Sequence, residues 1–157
     1  MLPLDTFKVI IESTPLISID FIVRSNEGKV LLGKRLNRPA QGYWFVPGGR
    51  ILKDESFVTA FNRLIKNELS LEFAETKFKG IHQHFYDDNF SGNDFTTHYV
   101  VLAYEIILDE ELVNLPLEQH SSYKWLSLDD LLSDEQVHKH TKWYFQENKQ
   151  ADFGLSE

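Results

Sequence analysis

Glu68 is a helix carboxylate that could hold a cation. It lies near the end of GGRILKDESFVTAFNRLIKNELSL (Gly48 to Leu71), a stretch that opens on two glycines and an acidic turn, Lys53-Asp54-Glu55. Positions 64, 67 and 68 stand at i, i+3 and i+4 and so share one side of a helix. Leu64 and Asn67 leave Glu68 as the lone carboxylate there. One carboxylate can anchor magnesium, which commonly takes one or two from the protein plus substrate phosphates and water. It suits a two- or three-metal attack on phosphorus poorly. Three arginines, Arg35, Arg38 and Arg50, flank the glycine-rich turn and are candidates to bind a small phosphorylated ligand. His120 can hold a proton transiently near neutral pH, and its neighbour Gln119 offers a neutral oxygen to a metal. The plain alternatives are a solvated helix charge at Glu68 and a solvated loop pair at Gln119-His120. His82 and His84 share a strand face, but no third ligand of suitable spacing points to a transition-metal site.

These side chains need elements to carry them. Phe57, Val58, Phe61, Leu64 and Ile65 recur at helical spacing and predict one apolar stripe, capped by Asp54 or Ser56, with Asp54 and Glu55 complementing the helix dipole. Leu4 to Ile11 has helical spacing. Leu16 to Arg24 alternates as a half-buried strand, with Ile17, Ile19, Phe21 and Val23 on one face and Ser18, Asp20 and Ile22 on the other. Asn26-Glu27-Gly28 turns into a second strand, Lys29 to Leu32, and a short strand is expected at Tyr43 to Val46. Lys77 to Tyr86 and Phe95 to Ile107 read as long strands, joined by the polar loop DDNFSGND. Leu115 to His120 reads as a loop and Tyr123 to Leu126 as a short strand. Leu128 to Leu132 and Gln136 to Glu147 read as helices, with His138 and His140 at the surface. Trp125, Trp143, Tyr144 and Phe145 read as core or dimer contacts. Strands broken by one central helix, with helices at the end, indicate an α+β or α/β sandwich in a single domain, 1–157.

Composition narrows the function. A chain of 157 residues, 42% hydrophobic and 25% charged, is expected to be soluble and globular. No apolar run reaches membrane-spanning length, and the start, MLPLDTF, lacks a secretory pattern. The absence of cysteine excludes disulfides and thiolate metal sites, and the cytoplasm is the expected compartment. A net charge of −8 argues against binding a nucleic-acid polymer, though not against a small phosphorylated ligand.

The stretch resembles the Nudix box, G-x5-E-x7-R-E-U-x-E-E-x-G-U with U aliphatic. Gly49, Glu55, Arg63, Ile65, Glu68 and Leu71 match, whereas Leu64, Asn67 and Ser70 replace Glu, Glu and Gly. Three further runs, Leu32 to Arg50, Gln83 to Leu102 and Leu117 to Leu126, are similar to the GDP-mannose mannosyl hydrolase branch of the Nudix superfamily. The likeness thins after Leu132. It implies an α/β/α sandwich with a mixed sheet and a central loop–helix–loop, assembled as a homodimer. It also implies hydrolysis of GDP-mannose, and of GDP-glucose, at the sugar carbon with inversion. One Mg2+ per site, replaceable by Mn2+, would be held by Glu68, Gln119 and the Gly48 carbonyl. His120 would act as base and Arg35 and Arg50 would grip the diphosphate, with Tyr99 as a further donor unless it simply packs in the sheet. Asp20 and His84 would lie near the sugar, Asp20 stabilising positive charge, and Arg63 would orient the metal-binding helix. Two competing readings remain: a pyrophosphatase splitting P–O–P in a nucleotide sugar, and a degenerate domain that binds a nucleotide as a sensor.

Overall fold

The computed structural model describes residues 2–109, 112, 115–147 and 149–152. The outer ends of the 1–157 domain assignment therefore lie outside the described residues. Its hub is β1 (Leu16–Ser25), a strand of β-branched and aromatic residues that changes partner partway along. On one side it runs parallel to β6 (Thr97–Leu108) over its whole length. On the other it pairs first with β4 (Gly48–Arg50) at Ser18 to Asp20, then with β2 (Val30–Arg35) only at Arg24. β3 (Trp44–Phe45) and β7 (His120–Leu126) pair with β2, and β5 (Thr76–Tyr86) with β6. All pairings but β1–β6 are antiparallel, so the seven-stranded sheet is mixed.

Alternation along the strands divides the core between the two faces. Ile19, Phe21, Val23 and Leu31 pack with Ala60, Leu64, Ile65 and Leu69 of α2 (Phe57–Leu69). Val30 and Leu32 point the other way, to Phe45, Val46, Val137 and Leu131 of α3 (Leu128–Ser133). Helix α1 (Leu4–Ser13) lies beside β6, and the chain closes with α4 (Lys139–Lys142) and a 3₁₀ turn, Trp143–Phe145. Residues 151–152 then run along β5: the Asp152 N–H donates to the Ile81 carbonyl at 2.8 Å, and the Gln83 N–H to the Asp152 carboxylate at 2.8 Å. Among the described residues no helix is long and apolar enough to cross a membrane.

Several sequence expectations change. Both faces of β1 are buried, because its Ser18–Asp20 side is also covered within the protein. The two glycines form β4 rather than a turn. Phe57 and Val58 are exposed, since α2 meets the sheet only from Ala60 onward. Ser56, not Asp54, caps that helix, accepting a bond from the Thr59 N–H at 3.1 Å. Glu55 is taken up by Arg63 and the Leu52 N–H instead of the dipole. His120 opens a strand rather than closing a loop, because it pairs opposite Arg35 of β2. The expected helix at Gln136 to Glu147 is interrupted: Val137 bridges to Trp44, and only Lys139–Lys142 is α-helical. That inward path buries His140, expected at the surface, and leaves His138 half-buried.

Candidate active site

Where β1 exchanges β2 for β4, the two neighbours diverge and leave a cleft between them. Asp20, Arg35, Gly48, Arg50, His84 and Tyr99 all line it. Asp20 comes from the inward-facing polar side of β1, Arg35 from the end of β2, and Gly48 and Arg50 from β4. His84 and Tyr99 face each other across β5 and β6. Close approach demands glycine at position 48, where a Cβ would strike the Ile19 carbonyl and lie 2.8 Å from Asp20 Oδ1.

Burial sets the protonation of these groups. Desolvation pushes the Asp20 carboxyl up to about 7, against the pull of a hydrogen bond from Tyr144 and the charge of Arg35. The same effect pushes His84 down to about 3, so its imidazole is neutral at physiological pH. His84 stacks on His140 with ring centroids 4.3 Å apart. Burial raises Tyr99, which keeps its phenol protonated as a donor. Arg35 Nε donates to the Pro39 carbonyl at 2.9 Å, which fixes the guanidinium at the cleft wall.

Glu68, Gln119 and His120 are not among the residues lining this cleft, and Arg35 is the group that links the two sets. Arg35 sits close enough to draw the titrations of both Glu68 and His120 downward. Glu68 is buried and pushed up to about 7, by desolvation first and by the nearby Glu118 as well. Gln119 is exposed and accepts a bond at its backbone carbonyl from the Leu36 N–H. His120 is buried and held down to about 4, by desolvation and then by Arg35. Its ring fits only because residue 33 is glycine, where a Cβ would come 2.6 Å from the imidazole. The Tyr123 hydroxyl lies 3.3 Å from His120 Nδ1 and donates its one proton to the Pro116 carbonyl at 2.6 Å. It can therefore only accept from Nδ1. That places the imidazole proton on Nδ1 and the lone pair on Nε2, a buried atom without a hydrogen-bond partner among the described residues.

The helix presents its three motif positions in three different environments. Leu64 is in the core, its Cδ2 filling the space a side chain at residue 49 would need. Asn67 is exposed and Glu68 buried. Arg63 ties α2 to β4: it donates to Glu55 at 2.6 and 2.9 Å and to the Arg50 carbonyl at 2.9 Å. Those bonds hold Glu55 down at about 2. Arg38 stands apart from the cleft, bonded to Asn93 in a neighbouring groove beside Asp88.

Sequence reasoning missed Tyr144, read as core or dimer contact. Its hydroxyl donates to Asp20 Oδ2 at 2.5 Å and lies 3.4 Å from His84 Nε2. No spacing signal links positions 20, 84 and 144, so only the fold could reveal it.

Comparison with known proteins agrees with this fold. The chain is 39% identical over 124 residues to the low-salt glycan biosynthesis protein Agl8 of Haloferax volcanii, covering 78% of each chain. Among solved structures it resembles a MutT NUDIX hydrolase from Burkholderia pseudomallei (TM-score 0.68, 22% identity, 84% of this chain and 96% of that one). It also resembles the NUDIX domain of Shewanella oneidensis NrtR, solved with ADP ribose (TM-score 0.65, 19% identity, 92% and 96%). These two likenesses speak for the fold alone. With a NUDIX domain model matching residues 14–146, and with the loop–helix–loop set against a mixed sheet, the chain belongs to the Nudix family of hydrolases.

Proposed function

We propose that the protein hydrolyses GDP-mannose, and GDP-glucose, at the anomeric carbon with inversion, releasing GDP and the free sugar. The observation that carries this reading is the single carboxylate on the relevant side of α2. Leu64 is committed to the core and Asn67 to solvent, which leaves Glu68. A site with few metal ligands suits departure of a diphosphate from carbon better than attack on phosphorus. A sugar-bearing substrate is also in keeping with the glycan biosynthesis named for the Haloferax relative.

The donor set fits magnesium, or manganese in its place. Glu68, the Gly48 carbonyl and Gln119 offer only hard oxygens, and a buried carboxyl raised to about 7 gains from a cation beside it. Among the described residues no group of three or more His, Cys, Asp or Glu could hold a metal. When bound, the ion would neutralise charge on the departing diphosphate.

The chain's own groups supply the rest. Arg35 and Arg50 offset the charge building on GDP, and the Tyr99 phenol donates to it. Asp20, ionised, stabilises the oxocarbenium character that develops at the sugar carbon. Neutral His84 adds no positive charge beside it. His120 Nε2 takes the proton of a water that attacks from the face opposite GDP, and a single displacement inverts the centre.

The test is incubation with GDP-mannose and Mg2+ in 18O-labelled water. GDP plus β-mannose carrying the label is expected. GMP plus mannose 1-phosphate would overturn the proposal and establish P–O–P cleavage. The pyrophosphatase reading draws on Glu118, a second carboxylate whose charge reaches Glu68. Tight Mg2+-dependent GDP binding with no turnover would favour a sensor.

A further inference from the structure

We propose that Tyr144 is a positioning residue for the sugar side of the cleft: it fixes which oxygen of Asp20 faces the reacting carbon. The inference rests on the hydrolase reading above and extends it to a residue outside the cleft wall. Asp20 projects from the centre of β1 with its two oxygens in different surroundings. Oδ2 accepts from the Tyr144 hydroxyl, and Oδ1 lies on the Gly48 side, within the lined cleft. A carboxylate without that bond could rotate about χ2 and present either oxygen or neither. With it, Oδ2 is engaged and Oδ1 alone is offered.

Tyr144 is itself held firmly. The chain leading to it is fastened to β3 and its exit by three contacts: the Trp44 N–H donates to the Gln136 carbonyl, the His138 N–H to the Trp44 carbonyl, and the Val46 N–H to Thr141 Oγ1. The Tyr144 ring meets His82 edge-on at 4.9 Å. Its hydroxyl lies 3.4 Å from His84 Nε2, so one phenol touches both groups assigned to the sugar. The 3₁₀ turn Trp143–Phe145 therefore braces Asp20 and His84 from behind the cleft lining, and the carboxyl-terminal part of the chain contributes to catalysis without touching substrate.

A double-mutant cycle tests this. Tyr144→Phe keeps the ring and removes the hydroxyl; Asp20→Asn removes the charge that it orients. For Tyr144→Phe, kcat on GDP-mannose should fall about tenfold or more, with KM and the calorimetric Kd for Mg2+-GDP within about twofold of wild type. In the Asp20→Asn background the same substitution should change kcat by less than about twofold. Equal losses in both backgrounds, an unchanged kcat, or an effect confined to KM would overturn the assignment. If Tyr144→Phe alone does not fold, Asp20→Asn is compared with the double variant, a background that retains no carboxylate to orient. A difference in kcat beyond about twofold between those two overturns the assignment, and a smaller one supports it. A wild-type chain that leaves GDP-mannose intact overturns the hydrolase reading and this assignment with it. An active wild type with an additive cycle overturns the assignment alone.

Discussion

At the scale of single residues, the site works through environments more than through residue types. In the proposed mechanism His120 is a one-sided base, because Tyr123 occupies Nδ1 and Nε2 has no partner among the described residues. Replacing it with glutamine should lower turnover by about 10²–10⁴-fold while GDP affinity, measured by calorimetry, barely changes. Burial pushes two carboxyls, Asp20 and Glu68, up to about 7, and the proposed mechanism uses both as anions. The rate should therefore rise as pH increases through about 7 and level off above it. Because Glu68 must lose its proton to bind metal, the rise should be steeper at limiting Mg2+ than at saturation, as a set of pH–rate profiles would show. Glu68 stood out in the sequence because its motif spacing is local. Tyr144 could not, because its partners come from β1 and β5, more than fifty residues away.

At the scale of elements, α2 holds Glu68 through its ends and its stripe. Ser56 Oγ caps the first turn, and Arg63 bolts the helix to β4 through the Arg50 carbonyl. Ser56→Ala should cost about 1 kcal/mol in denaturant unfolding with the m-value unchanged, because one N–H at the helix start loses its partner. Alternation and helical spacing placed the long strands and α2 within a few residues, since those patterns are set by local burial. They failed where the deciding contact is distant. β4 is a strand because Ser18 to Asp20 receive it, and His138 to Phe145 fold inward because Trp44 and Val46 bind them. The first turn of α2 shows the same limit, as Phe57 and Val58 have the right period but no sheet beneath them.

At the scale of the whole molecule, five histidines are kept neutral by burial, His82 among them. His84, His120, His138 and His140 are pushed down to about 3, 4, 4 and 2, against an unfolded value of about 6.5. Below pH 6.5 the unfolded chain binds more protons at these sites than the native one, so stability falls on acidification, by up to about 1.4 kcal/mol per pH unit for each. Asp20 and Glu68 act in the opposite sense between about pH 4 and 7, because the native state holds their protons more tightly. Because the histidines outnumber these two carboxyls, a net loss should begin below pH 6.5 and continue to about pH 4, where His120 and His138 reach their native values and cease to add to it, as urea titrations across that range would reveal. The segment at Ala151 and Asp152 has a further consequence. By taking hydrogen-bonding groups of Ile81 and Gln83, it covers the middle of the outer edge of β5. A second copy could add a strand over the middle of β5 only after displacing this segment.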